Sequence, residues 1–318
     1  MAVFAACGCA LLRSAPPASD EWTFVAFPGS SEAARERVIE LSAIHPVAVG
    51  CAAPNPVTFV IEQCRERGPL PPERDRELMI TGNSSPDGYR PDILRATMAQ
   101  PDGRDRFAEQ ATSLAMSGGY DGMLLDFRLL GPRDASALVA LVATLGDAAR
   151  ANGIAPVGIV IPVADTAAYP GRHLGPLTDF LALRMELDVA SPGPVTPRDR
   201  MSALVGARAA EIGAHRVMLL IPADGYLWRD GEPRARVSFD EAVAAANDWG
   251  VDLVRDESSR TLRARAPGRG EVWVNDAVLV SELVRDARRL GIRKFGLYGL
   301  GGEDKALWPA ITNRPVTR

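Results

Sequence analysis

Short apolar segments alternate with amphipathic segments along most of the chain. From Trp22 onward, apolar runs of roughly four to eight residues precede stretches whose apolar residues recur every three or four positions. This alternation is typical of a parallel sheet whose strands are joined by crossover helices. The pattern predicts eight strands: Thr23–Phe27, Val47–Cys51, Glu77–Thr81, Gly122–Phe127, Val157–Pro162, Phe180–Leu187, Arg216–Ile221 and Lys294–Leu300.

Eight parallel strands are the number that closes a (β/α)8 barrel of the TIM type. Three of the intervening stretches carry the apolar stripe of an amphipathic helix, at Ser31–Ile44, Ala135–Ala151 and Asp276–Leu290. An open doubly wound sheet requires the same alternation and is the competing prediction. We predict an α/β fold with one TIM barrel over residues 21–316.

The connection after the seventh predicted strand is too long for a simple loop. About fifty residues precede the next helix, whereas structureless loops rarely exceed about 15. A capping box, Ser238-x-x-Glu241, predicts the start of a helix that runs to Trp249. Strand patterns follow at Val251–Arg255, Thr261–Ala266 and Glu271–Val274. We predict a small α+β subdomain at about residues 229–275, inserted above the barrel face where active sites lie.

Composition argues against several classes of function. The chain has 36 basic and 40 acidic residues and no long run of lysine or arginine, which disfavours nucleic-acid binding. Lys294 and Lys305 are the only lysines, so we do not expect Schiff-base catalysis. The three histidines are far apart and the cysteines lack zinc-ligand spacing, so we predict no metal and no cofactor. Carboxylates remain as candidates for chemistry.

The first 20 residues are an apolar leader followed by a linker rich in alanine, serine and proline. Phe4-Ala5-Ala6-Cys7 resembles a bacterial lipoprotein processing site, although no basic residue precedes it. The apolar run is too short to span a bilayer. We predict export to the periplasm or cell envelope, with a lipid anchor at Cys7 as the one membrane contact; the alternative is a disordered leader on a cytoplasmic protein. We expect a monomer.

Four segments occur in the order and at the spacing of a known set of motifs. They are Gly119–Arg128, Ile221–Trp228, Glu271–Asp276, and Gly296–Asp304 with Trp308. They resemble the fourth-strand D-G-x-D-x-D-x-E, the seventh-strand P-x-Y-G-Y-x-W, an E-V-W-x-x-D stretch and the last-strand W-x-L-G-x-E-D of glycoside hydrolase family 18. The bacterial cell-wall and spore-cortex branch is the most similar. The resemblance implies a TIM barrel acting on glycans that contain N-acetylglucosamine.

The fourth-strand motif departs from the family pattern at the residue that protonates the substrate. In the family, the motif's glutamate protonates the leaving oxygen, and the aspartate two residues earlier orients the substrate's acetamido group, which is the nucleophile. Asp126 keeps the orienting position, Leu124 replaces an inner aspartate, and Arg128 stands where the acid should be. Because arginine stays protonated in proteins, it cannot act as a general acid near neutral pH. We therefore expect glycan binding without the family's standard hydrolysis.

Strand parity decides how the sixth strand aligns with the family. An ungapped match beginning at Asp179 places Arg184 and Glu186 on the lumen face. A shifted match, using Met185–Asp188, would press both charges against the helices. An unpaired charge in that apolar interface costs several kcal/mol. We therefore prefer the ungapped match.

Three acids and two arginines are thus predicted at the lumen mouth: Asp126, Glu186, Asp224, Arg128 and Arg184. One interpretation is a set of ion pairs that fill an inactive site. The alternative is an active glycosidase with relocated carboxylates, in which Glu186 is the general acid and Asp126 and Asp224 assist. Arg128 then pairs with Asp126 or holds an anionic sugar group.

Four further side chains are candidates for substrate binding. Tyr298 stands where the family has a floor tryptophan, and either stacks on a sugar ring or is a core aromatic residue. Asn83 ends the third strand and either binds substrate or forms a turn. Tyr226 and Trp228 follow the seventh strand and would line the cleft, whereas we expect the three later tryptophans to pack the subdomain and the last helix.

Overall fold

A computed structural model describes residues 21–25, 47–55, 58–63, 76–82, 89–187, 191–194, 196–229 and 234–308. The predicted leader, the helix at Ser31–Ile44 and Asn83 lie outside the described residues. Among those described, no helix combines the length and hydrophobicity needed to cross a bilayer.

Eight parallel strands form a curled, TIM-barrel-like sheet. They are β1 (Glu21–Val25), β2 (Val47–Pro54), β4 (Arg76–Thr81), β5 (Gly122–Asp126), β6 (Val157–Pro162), β7 (Phe180–Arg184), β8 (Val217–Pro222) and β14 (Lys294–Tyr298). The order is β1-β14-β8-β7-β6-β5-β4-β2, and β1 also pairs with β2. Each parallel strand therefore lies between the parallel strands that precede and follow it in the sequence, and the first strand pairs with the last. The doubly wound alternative is wrong, because such a sheet reverses direction at a switch point.

The observed strands agree with the predicted ones to within a few residues. The sixth barrel strand was predicted to reach Leu187, but β7 ends at Arg184. Its neighbour β6 ends at Pro162, directly opposite Arg184, so the next residues have no strand on that side. A short strand, β3 (Ile61–Gln63), pairs antiparallel with β2 and was not predicted.

Helices connect the barrel strands. They are α1 (Pro91–Ala99), α2 (Pro101–Gly118), α3 (Ala135–Ala151), α4 (Gly171–Leu174), α5 (Arg198–Ile212) and α7 (Ala277–Arg289). The predicted helix at Ala135–Ala151 is confirmed with the same bounds. The last predicted helix is confirmed as α7, and Asp276 is its N-cap because its side chain accepts a hydrogen bond from the Leu279 N–H at 3.1 Å.

Alternate residues of the barrel strands enter two separate apolar clusters, because successive side chains of a strand point to opposite faces of the sheet. On β5, Met123 and Leu125 pack in the large cluster beneath the helices, whereas Leu124 packs in the lumen. The lumen cluster consists of Met79, Leu124, Val160, Phe180, Ala182, Met218, Leu220 and Tyr298. Gly158 makes room for it, since a Cβ there would lie 2.2 Å from the Phe180 ring. The lumen below the mouth is therefore filled by side chains.

A second, antiparallel sheet lies between β8 and α7 in the chain. Its strands are β9 (Gly225–Trp228), β10 (Ala235–Val237), β11 (Val254–Arg255), β12 (Leu262–Ala266) and β13 (Gly270–Val274), in the order β10-β9-β13-β12-β11. One face packs on α6 (Phe239–Trp249). The capping box is confirmed, because Ser238 and Glu241 exchange hydrogen bonds at the start of α6. Strands β9 and β10 were not predicted.

Candidate functional site

The charged side chains singled out in the sequence meet at the carboxyl ends of the barrel strands. Asp126 ends β5 and Arg184 ends β7. Asp224 lies between β8 and β9, and Tyr298 is the last residue of β14. We refer to this region as the mouth.

Arg128 binds Asp126 with two nitrogens. Its Nε lies 2.9 and 3.1 Å from the two carboxylate oxygens of Asp126, and its Nη2 lies 2.9 Å from Oδ2. Burial alone would lower the pKa of Arg128, but the negative charge of Asp126 holds this pKa well above its usual value. The residue at the position of the family's acid is therefore a fixed cation.

Tyr89 is the second side chain that donates a hydrogen bond to Asp126, and the sequence did not identify it as a site residue. Its hydroxyl donates to Asp126 Oδ2 at 2.8 Å, and the Arg128 guanidinium lies 4.6 Å from the centre of its ring. Burial, and then the charge of Asp126, raise the pKa of Tyr89 far above its ordinary value, so the phenol stays protonated and donates. Both oxygens of Asp126 are thus occupied by donors of this protein.

Tyr298 lies between two guanidinium groups. Its hydroxyl accepts from Arg128 Nη2 at 2.7 Å and from Arg236 Nη1 at 3.2 Å. The two guanidinium carbons are 5.3 and 4.5 Å from the ring centre, within the range of cation–π contact. Because the ring is also buried in the lumen cluster, Tyr298 is a core aromatic residue that forms the floor of the mouth.

Asp224 is held by Arg236, which the sequence did not reveal. Arg236 Nε donates to Asp224 Oδ2, and its Nη2 donates to Oδ1 at 2.8 Å. Burial raises the pKa of Asp224, while the paired guanidinium opposes this change. Gly299, with φ +82°, lies against this pair, and a Cβ there would come within 2.9 Å of Asp224 Oδ2. The site therefore requires glycine at this position.

Arg184 and Glu186 form a second polar group, on the lumen side as the ungapped alignment predicted. Arg184 Nη1 lies 3.6 Å from Glu186 Oε2, and the Tyr226 hydroxyl donates to Glu186 Oε1 at 2.5 Å. Burial and the charge of Glu186 raise the pKa of Tyr226, so this phenol is also a donor. Among the described residues, Glu186 Oε2 and Arg184 Nε have no hydrogen-bond partner.

Three aromatic residues of the second sheet cluster together beside Glu186. Tyr226 and Trp228 lie on β9 with ring centres 6.0 Å apart, and Trp273 lies on the neighbouring β13. The Trp273 indole N–H donates to Glu271 at 2.7 Å. The indole nitrogen of Trp228 is buried and lacks a hydrogen-bond partner in the described part of the chain. This cluster joins the second sheet to the mouth.

A buried tyrosine fixes the backbone beside Arg128. The Tyr169 hydroxyl donates to the Phe127 carbonyl at 2.8 Å and accepts from the Leu130 N–H at 3.3 Å. Burial raises the pKa of Tyr169 to about 12, so it remains a donor at neutral pH. The segment that carries Arg128 is thereby held on both sides.

Two acids of the last-strand motif hold the end of β14 in place. Glu303 is buried and accepts from the Trp308 indole at 3.0 Å and from the Gly301 N–H at 2.6 Å. Asp304 caps the short 3-10 helix at Lys305–Leu307. Its other oxygen accepts from the Ala277 N–H, so this motif ties the end of β14 to α7.

Tyr89 and Arg236 had weak sequence signals. Tyr89 lies outside the predicted elements, two residues before Pro91. Arg236 is the middle residue of a three-residue strand. The face of the sheet on which its side chain lies follows only from the pairing of β10 with β9, and three residues are too few for a pattern to predict that pairing. Within the described ranges, no three His, Cys, Asp or Glu side chains are grouped to hold a metal ion.

The structure combines a curled parallel sheet, which carries charged side chains at its carboxyl-end mouth, with a second sheet inserted before the last barrel strand. No protein-family model matches the sequence. The uncharacterized glycosylase YvbX of Bacillus subtilis is 22% identical over 237 residues, which cover 69% of each chain.

Solved structures resemble this one more extensively. A chitinase from Chromobacterium violaceum matches with a TM-score of 0.77 at 20% identity, covering 92% of this chain and 98% of its own. The spore cortex-lytic enzyme SleL of Bacillus megaterium matches with a TM-score of 0.75 at 16% identity, covering 94% and 74%. The chain is thus similar in sequence to glycosylases and in fold to chitinases and to a spore cortex-lytic enzyme, and these similarities support its resemblance to glycoside hydrolase family 18.

Proposed function

We propose that this protein binds a glycan containing N-acetylglucosamine at the mouth of a (β/α)8 barrel, and that it does not perform the family's hydrolysis through residue 128. The motif resemblance puts Arg128 where the family has its acid, and one observation carries the proposal: Arg128 contacts Asp126 through two nitrogens. A missing general acid costs typically 10²- to 10⁴-fold in rate. The inserted subdomain, at about residues 229–275, would form one wall of the cleft.

The environment of Asp126 also argues against its family role. To orient an acetamido group, the aspartate must offer an oxygen to the substrate. Here Arg128 and Tyr89 donate to both of its oxygens. A substrate would have to reach a carboxylate that is 1% exposed and already accepts hydrogen bonds from a guanidinium and a phenol. Glycan binding without family-type turnover therefore fits this geometry best.

A second candidate function is hydrolysis by a relocated acid, and Glu186 is the residue that favours it. Asp126 and Asp224 are each held by two guanidinium nitrogens. Glu186 instead keeps Oε2 without a hydrogen-bond partner among the described residues, and Tyr226 donates to its other oxygen. A protonated Glu186 could donate from Oε2 to a glycosidic oxygen.

Calorimetry and reducing-end release distinguish these two functions. Chito-oligosaccharides and soluble peptidoglycan fragments are titrated into the full chain, and new reducing ends are then measured over a day. Binding without release supports the binding protein. Release that Glu186→Gln abolishes, and that the exposed control Glu109→Gln leaves intact, supports the relocated acid. Absence of binding to every fragment contradicts both.

We also propose that the glycan lies outside the cytoplasm. The leader around Cys7 favours export, and one structural neighbour is a spore cortex-lytic enzyme. The prediction is that the protein, as a monomer, is found with the envelope fraction and that Cys7→Ala moves it to a soluble fraction. Recovery of the unaltered protein in the cytoplasm contradicts this location.

A further inference from the structure

Three acid–arginine pairs of the mouth share one orientation. In each pair the carboxylate lies deeper than the guanidinium. The exposed fractions of the two side chains are 1% and 13% for Asp126 and Arg128, 5% and 16% for Glu186 and Arg184, and 8% and 34% for Asp224 and Arg236. A layer of carboxylates therefore lies beneath a layer of guanidiniums.

This layering determines what a ligand meets first. Each pair is neutral overall, but its positive end points outward, and three such dipoles side by side produce a positive potential at the opening. Two partly buried phenols add to the arrangement, because Tyr89 and Tyr226 donate to Asp126 and Glu186. Within these three pairs, the arginine side chain is the more exposed partner, so a ligand meets N–H donors before it meets the carboxylates.

Two of the guanidiniums converge at the floor of the mouth. Arg128 and Arg236 both donate to the Tyr298 hydroxyl, so their nitrogens approach one point from two sides. Among the described residues, Arg128 Nη1 makes no hydrogen bond. Paired guanidinium donors match the geometry of a carboxylate, which accepts two parallel hydrogen bonds.

The cationic surface continues along the second sheet. Residues directly opposite in adjacent strands share a face, so Arg236, Tyr226, Trp273 and Arg263 form one row across β10, β9, β13 and β12. The Arg263 guanidinium is exposed and lies 5.5 Å from the centre of the Trp273 ring. An extended ligand leaving the mouth along this face would meet further positive charge, although the whole chain has a net charge of −4.

We propose that the glycan bound here is acidic, and that Arg128 and Arg236 hold a carboxylate of one of its sugars at the floor of the mouth. This rests on the proposed function, since it names the class of glycan that the same mouth takes. Arg128 at the position of the family's acid then has a chemical role: the position no longer donates a proton to the substrate, and it binds a carboxylate of the substrate.

A matched pair of ligands tests the proposal. Chitohexaose and chitohexaose oxidised to the carboxylate at C6 have the same length and linkage and differ in charge. We expect the oxidised ligand to bind the full chain at least ten-fold more tightly in calorimetry at low salt, because hydrogen bonds to charged groups are strong. Raising the salt concentration should reduce this preference.

Amino-acid variants show which residues cause the preference for the oxidised ligand. In Asp224→Asn/Arg236→Gln the pair becomes two neutral amides, so no buried charge is left alone. This double variant should lose most of the preference for the oxidised ligand. The measured quantity is the ratio of its affinities for the oxidised ligand and for chitohexaose, so a change in affinity common to both ligands does not affect the result. Arg269→Gln is the control, since this arginine pairs with Asp248 outside the mouth, and it should behave as the unaltered protein. Circular dichroism of each variant reports whether it is folded.

The outcomes separate the two proposals. Equal affinity for both ligands in the unaltered protein overturns the acidic-glycan inference and leaves the proposed glycan binding standing. A preference that persists unchanged in the folded double variant overturns the role of Arg236. Failure of both ligands to bind overturns the inference and the proposed function together.

Discussion

Removing Arg236 should destabilise the protein through the carboxylate it leaves behind. Asp224 is buried and bonded to Arg236 through both oxygens. Breaking a fully buried pair by removing one partner costs about 3–5 kcal/mol. Because a third of the Arg236 side chain is exposed, solvent screening reduces this figure. We expect Arg236→Gln to lower the free energy of unfolding at pH 7 by about 2 kcal/mol.

The pH dependence of this loss follows from Asp224. Burial raises its pKa in the folded protein, and Arg236 opposes that rise. In Arg236→Gln the opposing charge is gone, so the folded pKa lies further above the unfolded value of about 4. When the pKa of a group such as Asp224 is higher in the folded than in the unfolded protein, folding is favoured at a pH below the unfolded-state value. This contribution to stability is lost as the pH rises through the folded-state value. The deficit of the variant should therefore be smaller at pH 5 than at pH 7.

Urea unfolding followed by tryptophan fluorescence at pH 7 and pH 5 measures both effects. The comparison protein is Asp224→Asn/Arg236→Gln, which has no charge at either position and should lie within about 1 kcal/mol of the unaltered protein. The reasoning is refuted if the single variant is as stable as the double variant at pH 7. It is also refuted if the deficit of the single variant is the same at both pH values.

Three further changes test other parts of the structure. Arg208→Met should lower the free energy of unfolding in urea by about 3 kcal/mol or more, since this buried guanidinium donates to four backbone carbonyls. The control is Arg289→Met, at an exposed position, and it should change the free energy of unfolding by less than about 0.5 kcal/mol. Ser238→Ala should cost about 1 kcal/mol in the same assay through loss of the N-cap, and an unchanged midpoint would contradict this. Tyr226→Phe removes the hydroxyl that donates to Glu186 and should weaken glycan binding about five-fold by calorimetry; unaltered affinity would remove this tyrosine from the site.

Strand parity is the reason that much of the fold could be predicted. The rule of alternating faces requires Leu124 to lie on the opposite side of the sheet from Met123 and Leu125, and these residues do belong to two different apolar clusters. The same rule placed Arg184 and Glu186 together at the mouth. Apolar packing dominates the free energy of folding, so a pattern of apolar positions carries most of the information about the barrel.

The partners of the charged residues could not be predicted, because they come from elements with little pattern. Arg236 reaches Asp224 from a three-residue strand whose position depends on antiparallel pairing with β9. Tyr89 reaches Asp126 from outside the predicted strands and helices. Ion pairs of this kind depend on register and loop geometry, which no local sequence pattern specifies.

The separation between the two faces of each strand also keeps the charged residues of the mouth apart from the apolar packing. Met123, Leu125 and Phe127 hold β5 against the helices, and none of them faces the mouth. Asp126 and Arg128 lie on the alternate positions, where the exchange of an acid for an arginine leaves the apolar packing intact. Such an exchange does require a carboxylate nearby to stabilise the partly buried cation, and Asp126 provides it. Asp126, which the motif resemblance places at the orienting position, is thus the counter-ion of Arg128.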